Sequence, residues 1–375
     1  MTTNLMAASN QWASRPDDQR FLNLDALSDA VARRRSLSHD RVLRLDTLSL
    51  GHDSTNNRLF LSGHNGAAVN FTHWSFGQLA SAVGAPAAYM RKLPAALAEV
   101  NIEYGLKFND AGREEAKLLY TYGEDGQAVG EARAFTGPTY GRIWDQQIVD
   151  AVRRMNDDNR WSVPTPFKTA DGSRTNDGFT VDKRSTTLYA SDRDIFIFLV
   201  DERNPILIDD QAYFRGFYTW NSEVGKATFG LSTFLYSYVC ANRIIWGAAE
   251  VEELRIRHTS SAPDRFIEEA TPALAALSDS SPQPIINAIR KAKETKIANT
   301  PAEVEKWLAG KGFGKFEAAT GIAMAARGGD TGSDGDPTNL WDVIQGGTAA
   351  ARSITHQDTR LDLEKKWSAL LSSAR

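Results

Sequence analysis

The residues able to carry chemistry are few and widely spaced. The chain of 375 residues has one cysteine, Cys240, within NSEVGKATFGLSTFLYSYVCANRIIWG (Asn221–Gly247). A nucleophilic thiol needs a neighbouring base and an activating environment. The only local imidazole is His258, eighteen positions on, and Cys240 ends an apolar run. A buried structural thiol is therefore expected, because free cysteine is among the most buried residue types. The six histidines, at 39, 52, 64, 73, 258 and 356, show no His-x3-His or Cys/His spacing; metal sites need such spacing. Asp201-Glu202 closes the run IFIFLV, a strand-end position that suits metal-binding carboxylates. The lysine a nuclease would want two residues later is absent; Arg203 and Asn204 follow, with Asp192 and Asp194 the nearest other acids. Asp330, Asp334 and Asp336 miss the register of a calcium loop, and no nucleophile elbow, HExxH or triad order occurs. No cofactor is expected, the metal requirement stays open, and the chain leans away from being an enzyme.

Basic residues offer a second kind of chemistry. In FGQLASAVGAPAAYMRKL (76–93), Ala80, Gly84 and Met90 have helix-turn-helix spacing, and Leu79, Val83 and Leu93 fill other inward positions. Arg91 and Lys92 end the second helix and can meet phosphates. Ala87 and Ala88 face outward there and cannot read base edges. An ordinary helical hairpin in a core is the competing reading. In WLAGKGFGKFEAATGIAMAAR (307–327), Gly310, Gly312 and Gly314 alternate between two helices, beside Lys311 and Lys315. That arrangement is similar to a helix-hairpin-helix, whose backbone amides hold phosphate without reading sequence. No strand precedes it, so it is not a dinucleotide loop, and it lacks the Gly-Lys-Ser/Thr ending of a P-loop. Residues 290–315 carry Arg290, Lys291, Lys293, Lys296, Lys306, Lys311 and Lys315 against Glu294, Glu303 and Glu305, a net +4. Trp307, Phe313 and Phe316 interleave, and cations mixed with aromatics suit single strands. A solvated helix pair with a glycine turn is the plain alternative.

These residues need elements to hold them. Asn23 caps a helix, LDALSDAVARRR, that ends in Arg33-Arg34-Arg35; a cationic triplet there suits a solvated helix C-terminus. Strands are expected at Val42–Leu50, Arg58–Ser62, Ala67–Phe71, Lys117–Tyr122 and Glu131–Phe135. Helices follow at about Trp74–Val83, Pro86–Lys92, Pro94–Tyr104 and Ile143–Met155, with Gly63–Gly66 and 162–178 as turn and loop. A second run of strands comprises Ser185–Ala190, Asp194–Val200, Ala212–Trp220 and Lys226–Val239, with IFIFLV central and buried. From Pro263 the pattern is helical: 263–277, 282–298, 301–309, 315–326, 339–353 and 357–373. Strands mixed with helices, then helices alone, predict an α+β fold. It would have a mixed, largely antiparallel sheet, an N-terminal helical hairpin and a C-terminal helical region. The expected divisions are an arm at 1–19, an α+β core at 20–262, and helices at 263–375 packed on or beside it.

Hydrophobic content of 42% and charged content of 24% are ordinary for a globular chain. The formal net charge of −4 means that any nucleic-acid contact must be local. A single cysteine fits a reducing, cytoplasmic setting. No signal peptide or membrane span is expected.

The stretch RGFYTWNSEVGKATFGLSTFLYSYVCANRIIWG, with the following RIRHT, resembles the signature of the phage/plasmid-like family called domain of unknown function 932. Its elements here are Asn221, Ser222, Gly225, Cys240, Asn242, Arg257 and His258. WSFGQLASAVGAPAAYMRKLP and NLWDVIQGGTAAARSITHQDTRLDLEKKW resemble the flanking blocks, so the resemblance spans most of residues 12–370. It implies an origin in mobile elements and their hosts, and carries over no catalytic residue. The expected function is non-catalytic binding or annealing of single-stranded DNA in replication or recombination, by a homo-oligomer. A metal-dependent nuclease centred on Asp201 and Glu202 is one alternative. The other is a protein-binding factor, with a host or phage protein as partner, that blocks a host defence.

Overall fold

The computed structural model describes residues 16–62, 68–108, 114–122, 130–164, 181, 183, 186–209, 211–237, 243–244, 254–279, 281–328, 335–351, 354 and 357–374. Outside them lie Cys240 and Asn242, the expected arm up to residue 15, the Gly63–Gly66 turn, residues 165–178 of the expected loop, and Asp330 and Asp334.

A 3-10 turn at Asp17–Gln19 leads into β1 (Arg20–Phe21), and Lys183 Nζ donates to Asp17 O at 2.6 Å. Helix α1 (Leu24–Ser36) starts where expected: Asn23 Oδ1 accepts from Ala26 N at 2.8 Å, and Leu27 and Val31 are buried. A six-stranded sheet follows, from β2 (Ser38–Arg44), β3 (Leu50–Asp53), β4 (Arg58–Ser62), β5 (Ala68–Phe71), β6 (Glu115–Thr121) and β7 (Gly130–Thr136). Its order is β2-β6-β7-β5-β4-β3, antiparallel except for the parallel β5–β7 pair. Helix α2 (His73–Ala82), the single turn α3 (Ala87–Met90) and α4 (Ala95–Phe108) cover one face. Gly84, at φ 71°, makes the turn after α2, a left-handed conformation that glycine adopts freely. Ala80 and Met90 are buried as their spacing requires. The second helix is only four residues long, too short to lie along a groove as a recognition helix.

Helix α5 (Asp145–Met155) crosses to a nine-stranded, wholly antiparallel sheet. Its strands after β1 are β8 (Trp161–Ser162), β9 (Leu188–Ala190), β10 (Ile195–Asp201), β11 (Ile206–Ile208), β12 (Gln211–Asn221), β13 (Phe229–Ser237), β14 (Arg243–Ile244) and β15 (Leu254–Ile256). The fold is α+β, but the expectation of one sheet is corrected to two. Strand β10 is buried on both faces, which is why it reads as an unbroken apolar run. Ile195, Ile197 and Leu199 meet α1 and α5; Phe196 and Phe198 join Phe214, Tyr218, Trp220 and Phe234 on the other side.

Helix α6 (Ala262–Arg265) runs through a π-turn at Phe266–Ala270 into α7 (Thr271–Asp279), and both pack with the α1–α5 cluster. Helices α8 (Gln283–Glu294), α9 (Pro301–Gly310), α10 (Lys315–Ala325), α11 (Leu340–Ala351) and α12 (Gln357–Ser368) follow. They share one core with Ile206, Ile208, Tyr213 and Leu235 of the large sheet. Among the described residues no helix is long and apolar enough to cross a membrane.

Candidate functional site

Two places gather the polar residues singled out by the sequence. One is enclosed, the other open to solvent.

The enclosed one is the turn between β12 and β13, Asn221-Ser222-Glu223-Val224-Gly225. Asn221 and Ser222 are fully buried and Glu223 is 3% exposed. Groups of this turn are held from several parts of the fold. Asn221 Nδ2 donates to Ile143 O at 2.9 Å and to Asp145 Oδ1 at 2.8 Å. Ser222 Oγ donates to Arg193 O at 2.7 Å, and Ser222 O accepts from the Tyr140 hydroxyl at 2.9 Å. Val224 O accepts from Trp74 Nε1 at 2.9 Å and Gln78 Nε2 at 2.8 Å, both from α2. Gly225 sits at φ 80°, a position that a side chain would strain.

Charge is concentrated beside this turn. Glu223 pairs with Arg133 at 2.8 Å and accepts from Asp145 N at 3.0 Å. Burial and the Glu223 charge push the Asp145 carboxyl well above the ordinary carboxylate range. For Glu223 burial acts the same way, but Arg133 and the Asp145 amide outweigh it, so its carboxyl lies below the usual value. Arg34 of α1 supplies a further charge and donates to Ser191 O, so the Arg33–Arg35 triplet is not wholly solvated. Arg35 instead lies 3.9 Å over the Trp144 ring.

His258 completes the enclosed group. Its ring stacks on Tyr140 at 4.8 Å, and its Nδ1 lies 3.0 Å from Gly141 O, which makes Nδ1 the donor. Burial pushes its pKa down to about 4. Asn221, Ser222 and Gly225 are thus brought together with His258 through Tyr140, whereas Arg257 is exposed. The helix of WSFGQLASAVG joins the same knot through Trp74 and Gln78. Tyr140, Gly141, Arg142 and Trp144 also line an open pocket of about 380 Å³, while the turn itself is shut off from solvent. The knot ties the small sheet, α5 and the large sheet together.

The open place is the α9–α10 connection. Thr300 caps α9, accepting from Glu303 N at 3.3 Å while Glu303 Oε2 accepts from Thr300 N at 3.2 Å, the reciprocal capping box. Phe313 turns inward and meets Trp367 at 4.2 Å. Phe316 turns outward and is 84% exposed. Lys311 lies 5.4 Å from the Trp307 ring, and Lys315 begins α10 in solvent. A Cβ at Gly310 or Gly312 would meet nothing within 4 Å, so the turn is uncrowded. The amides of the turn are already taken: Lys311 N and Phe313 N donate to Leu308 O at 2.9 and 3.1 Å and Gly312 N to Ala309 O at 3.0 Å, while Gly314 N donates to Glu317 Oε2 at 2.9 Å and Lys366 holds that carboxylate at 2.6 Å; any contact with a ligand therefore falls to the side chains.

The other expected basic residues are dispersed. Arg290 and Lys291 are exposed on α8, Lys293 pairs with Asp209 at 2.6 Å, and Lys296 is exposed beside the bridge it forms with Asn339. Lys92 is exposed, and Arg91 donates to His73 O at 2.8 Å beside an open groove of about 500 Å³ lined also by Arg58 and Phe76. Arg91 and Lys92 belong to the small-sheet unit, whereas the basic residues of 290–315 belong to the C-terminal helices.

Asp201 is fully buried. It accepts from Arg160 Nε at 2.5 Å and from Asn204 N at 3.2 Å and Nδ2 at 3.0 Å, so its oxygens are occupied by the fold. Among the described residues no group of three or more His, Cys, Asp or Glu is placed to hold a metal ion. Glu223 and Asp145 were missed by sequence reasoning; Glu223 sits at a variable place of the Asn-Ser-x-x-Gly pattern, where nothing local marks a carboxylate as buried. Comparison with family models, with curated proteins and with solved structures gives no match to this chain.

Proposed function

We propose that the protein binds single-stranded DNA without chemistry of its own, as a phage- or plasmid-type factor of replication or recombination, and that the α9–α10 hairpin makes the contact. The observation that carries this reading is Phe316, 84% exposed at the start of a helix between Lys311 and Glu317, with Lys315 beside it. A solvent-facing aromatic with lysines on a glycine-rich turn can stack on a base while the ammonium groups follow the backbone. The internal occupation of Asp201 supports a binding role over a nuclease centred there. Membership of the phage/plasmid-like family is part of the proposal, and rests on the residues quoted for it.

The test is fluorescence anisotropy with labelled single-stranded and duplex oligonucleotides, with and without magnesium. Single strands are expected to bind more tightly, independently of magnesium. Phe316→Ala should cost about 1–3 kcal/mol of binding, the range for one stacked base. Lys311→Glu with Lys315→Glu should weaken all sequences alike. Full-strength binding by both variants would remove the hairpin from the reading, and magnesium-dependent cleavage of the oligonucleotide would replace it with the nuclease.

A further inference from the structure

Eleven large apolar side chains stand well exposed among the described residues, and four of them share one helix. Leu97, Val100, Tyr104 and Phe108 of α4 are 53%, 65%, 67% and 65% exposed. Steps of three, four and four residues return to the same helix face each time. The opposite face, with Ala95, Ala98, Ile102 and Leu106, is buried against the small sheet. Helix α4 is therefore apolar on two sides, and among the described residues only one of them is covered. No two of the other seven exposed apolar side chains share an element, which is ordinary for a protein surface.

We propose that this stripe docks a second copy of the chain, α4 against α4, antiparallel about a two-fold axis. The stripe is narrow and follows the spacing of a two-helix seam, which fits another helix better than a broad surface. Antiparallel pairing sets Leu97 against Phe108 and Val100 against Tyr104, small against large at each level. Parallel pairing would stack Tyr104 on Tyr104 and Phe108 on Phe108. Charge favours the same choice. The acids lie in the first half of the helix, Glu99 held by His52 and Glu103 lying 3.9 Å from Lys107, which stands 56% exposed in the second half. Antiparallel docking brings Lys107 of each copy towards the acidic half of the other, whereas parallel docking opposes like charges. Lys107 is the only cation on the helix, so neither an anionic lipid surface nor a phosphate backbone finds its usual partners there. The patch is smaller than a standard interface, so the dimer is weak and concentration-dependent.

The experiment is sedimentation velocity on the full chain across the micromolar range, comparing wild type with Val100→Glu and Tyr104→Glu. Both positions face solvent and glutamate is a good helix former, so circular dichroism and melting should match wild type. The wild type should move from monomer to dimer as concentration rises, and each variant should dimerise at least about tenfold more weakly, as removal of a central contact does. Mixing a Leu97→Cys chain with a Phe108→Cys chain should give a disulfide-linked dimer, which neither chain gives alone beyond the wild-type background from Cys240. A wild type that stays monomeric, a dimer indifferent to both glutamates, or a Leu97→Cys chain that cross-links to itself would each overturn the proposal.

Discussion

Asp145 and Glu223 are 2% and 3% exposed and lie one hydrogen bond apart, so they cannot both ionise at little cost. Arg133 resolves the conflict in favour of Glu223, at 2.8 Å. The two carboxyls should therefore respond unequally to neutralisation. Glu223→Gln leaves the Arg133 guanidinium buried without its counter-charge and should cost about 3–5 kcal/mol of stability. Asp145→Asn changes a group already biased to its neutral form, keeps a partner for Asn221, and should cost about 1 kcal/mol or less. Urea unfolding at neutral pH measures both, and equal losses would contradict the assignment of charge. His258 has its own signature. In the fold its pKa is near 4, against 6.5 for an ordinary histidine, so below 6.5 the unfolded chain binds a proton that the folded chain refuses. Stability from this group is complete above pH 6.5 and falls as pH drops towards 4, by about 3 kcal/mol in all for a shift of that size. A His258→Phe variant should flatten that part of the stability curve whatever its stability at neutral pH. An unchanged slope would mean that the imidazole is not buried in its neutral form.

At the scale of elements, legibility followed the range of the interactions that define each element. The C-terminal helices begin where local caps place them: Thr300, Pro301 and Glu303 are within one turn of each other and satisfy the α9 terminus by themselves. Strands β10 and β12 were legible because both faces or alternate positions are apolar. The division into two sheets was not legible, since it depends on pairings such as β2 with β6, which are some eighty residues apart in sequence. Strands β1, β8 and β14 have two residues each and leave no periodicity to read. Within the large sheet, Gly230 lies opposite Trp220, and a Cβ there would come within 2.0 Å of the indole. The glycine lets the ring lie flat on the neighbouring strand, a pairing visible only once register is known. Arg34 was misread for a similar reason. A cation in the last turn of a helix is commonly solvated, but α1 packs so that this one turns inward and donates to Ser191 O, within the field of Asp145 and Glu223. The stripe on α4 is the opposite case. Its spacing is written in the sequence, and only exposure distinguishes it from the core face of the same helix.

For the whole molecule, a net charge of −4 means that binding to a strand rests on a few local cations. Lys293 is partly neutralised by Asp209, and Lys366 by Glu317, which leaves Arg290, Lys291, Lys296, Lys306, Lys311 and Lys315 as the exposed contributors among residues 290–315. One hairpin with so few phosphate contacts binds weakly, whereas two hairpins in a dimer bind a long strand together. The second contact is then intramolecular, with an effective concentration in the millimolar range for a short flexible tether. Pairing through α4 and contact through α9–α10 should therefore separate by oligonucleotide length. Tyr104→Glu should leave affinity for an oligonucleotide that spans one hairpin unchanged, and lower it by about tenfold or more for one that spans both. Phe316→Ala should weaken both lengths, and the long one more, because each loss counts twice. Anisotropy titrations over a length series with the two variants and the wild type read this directly. Equal weakening at all lengths by Tyr104→Glu would mean that α4 itself touches the strand. An identical length profile for Tyr104→Glu and wild type would mean that the second copy takes no part in binding.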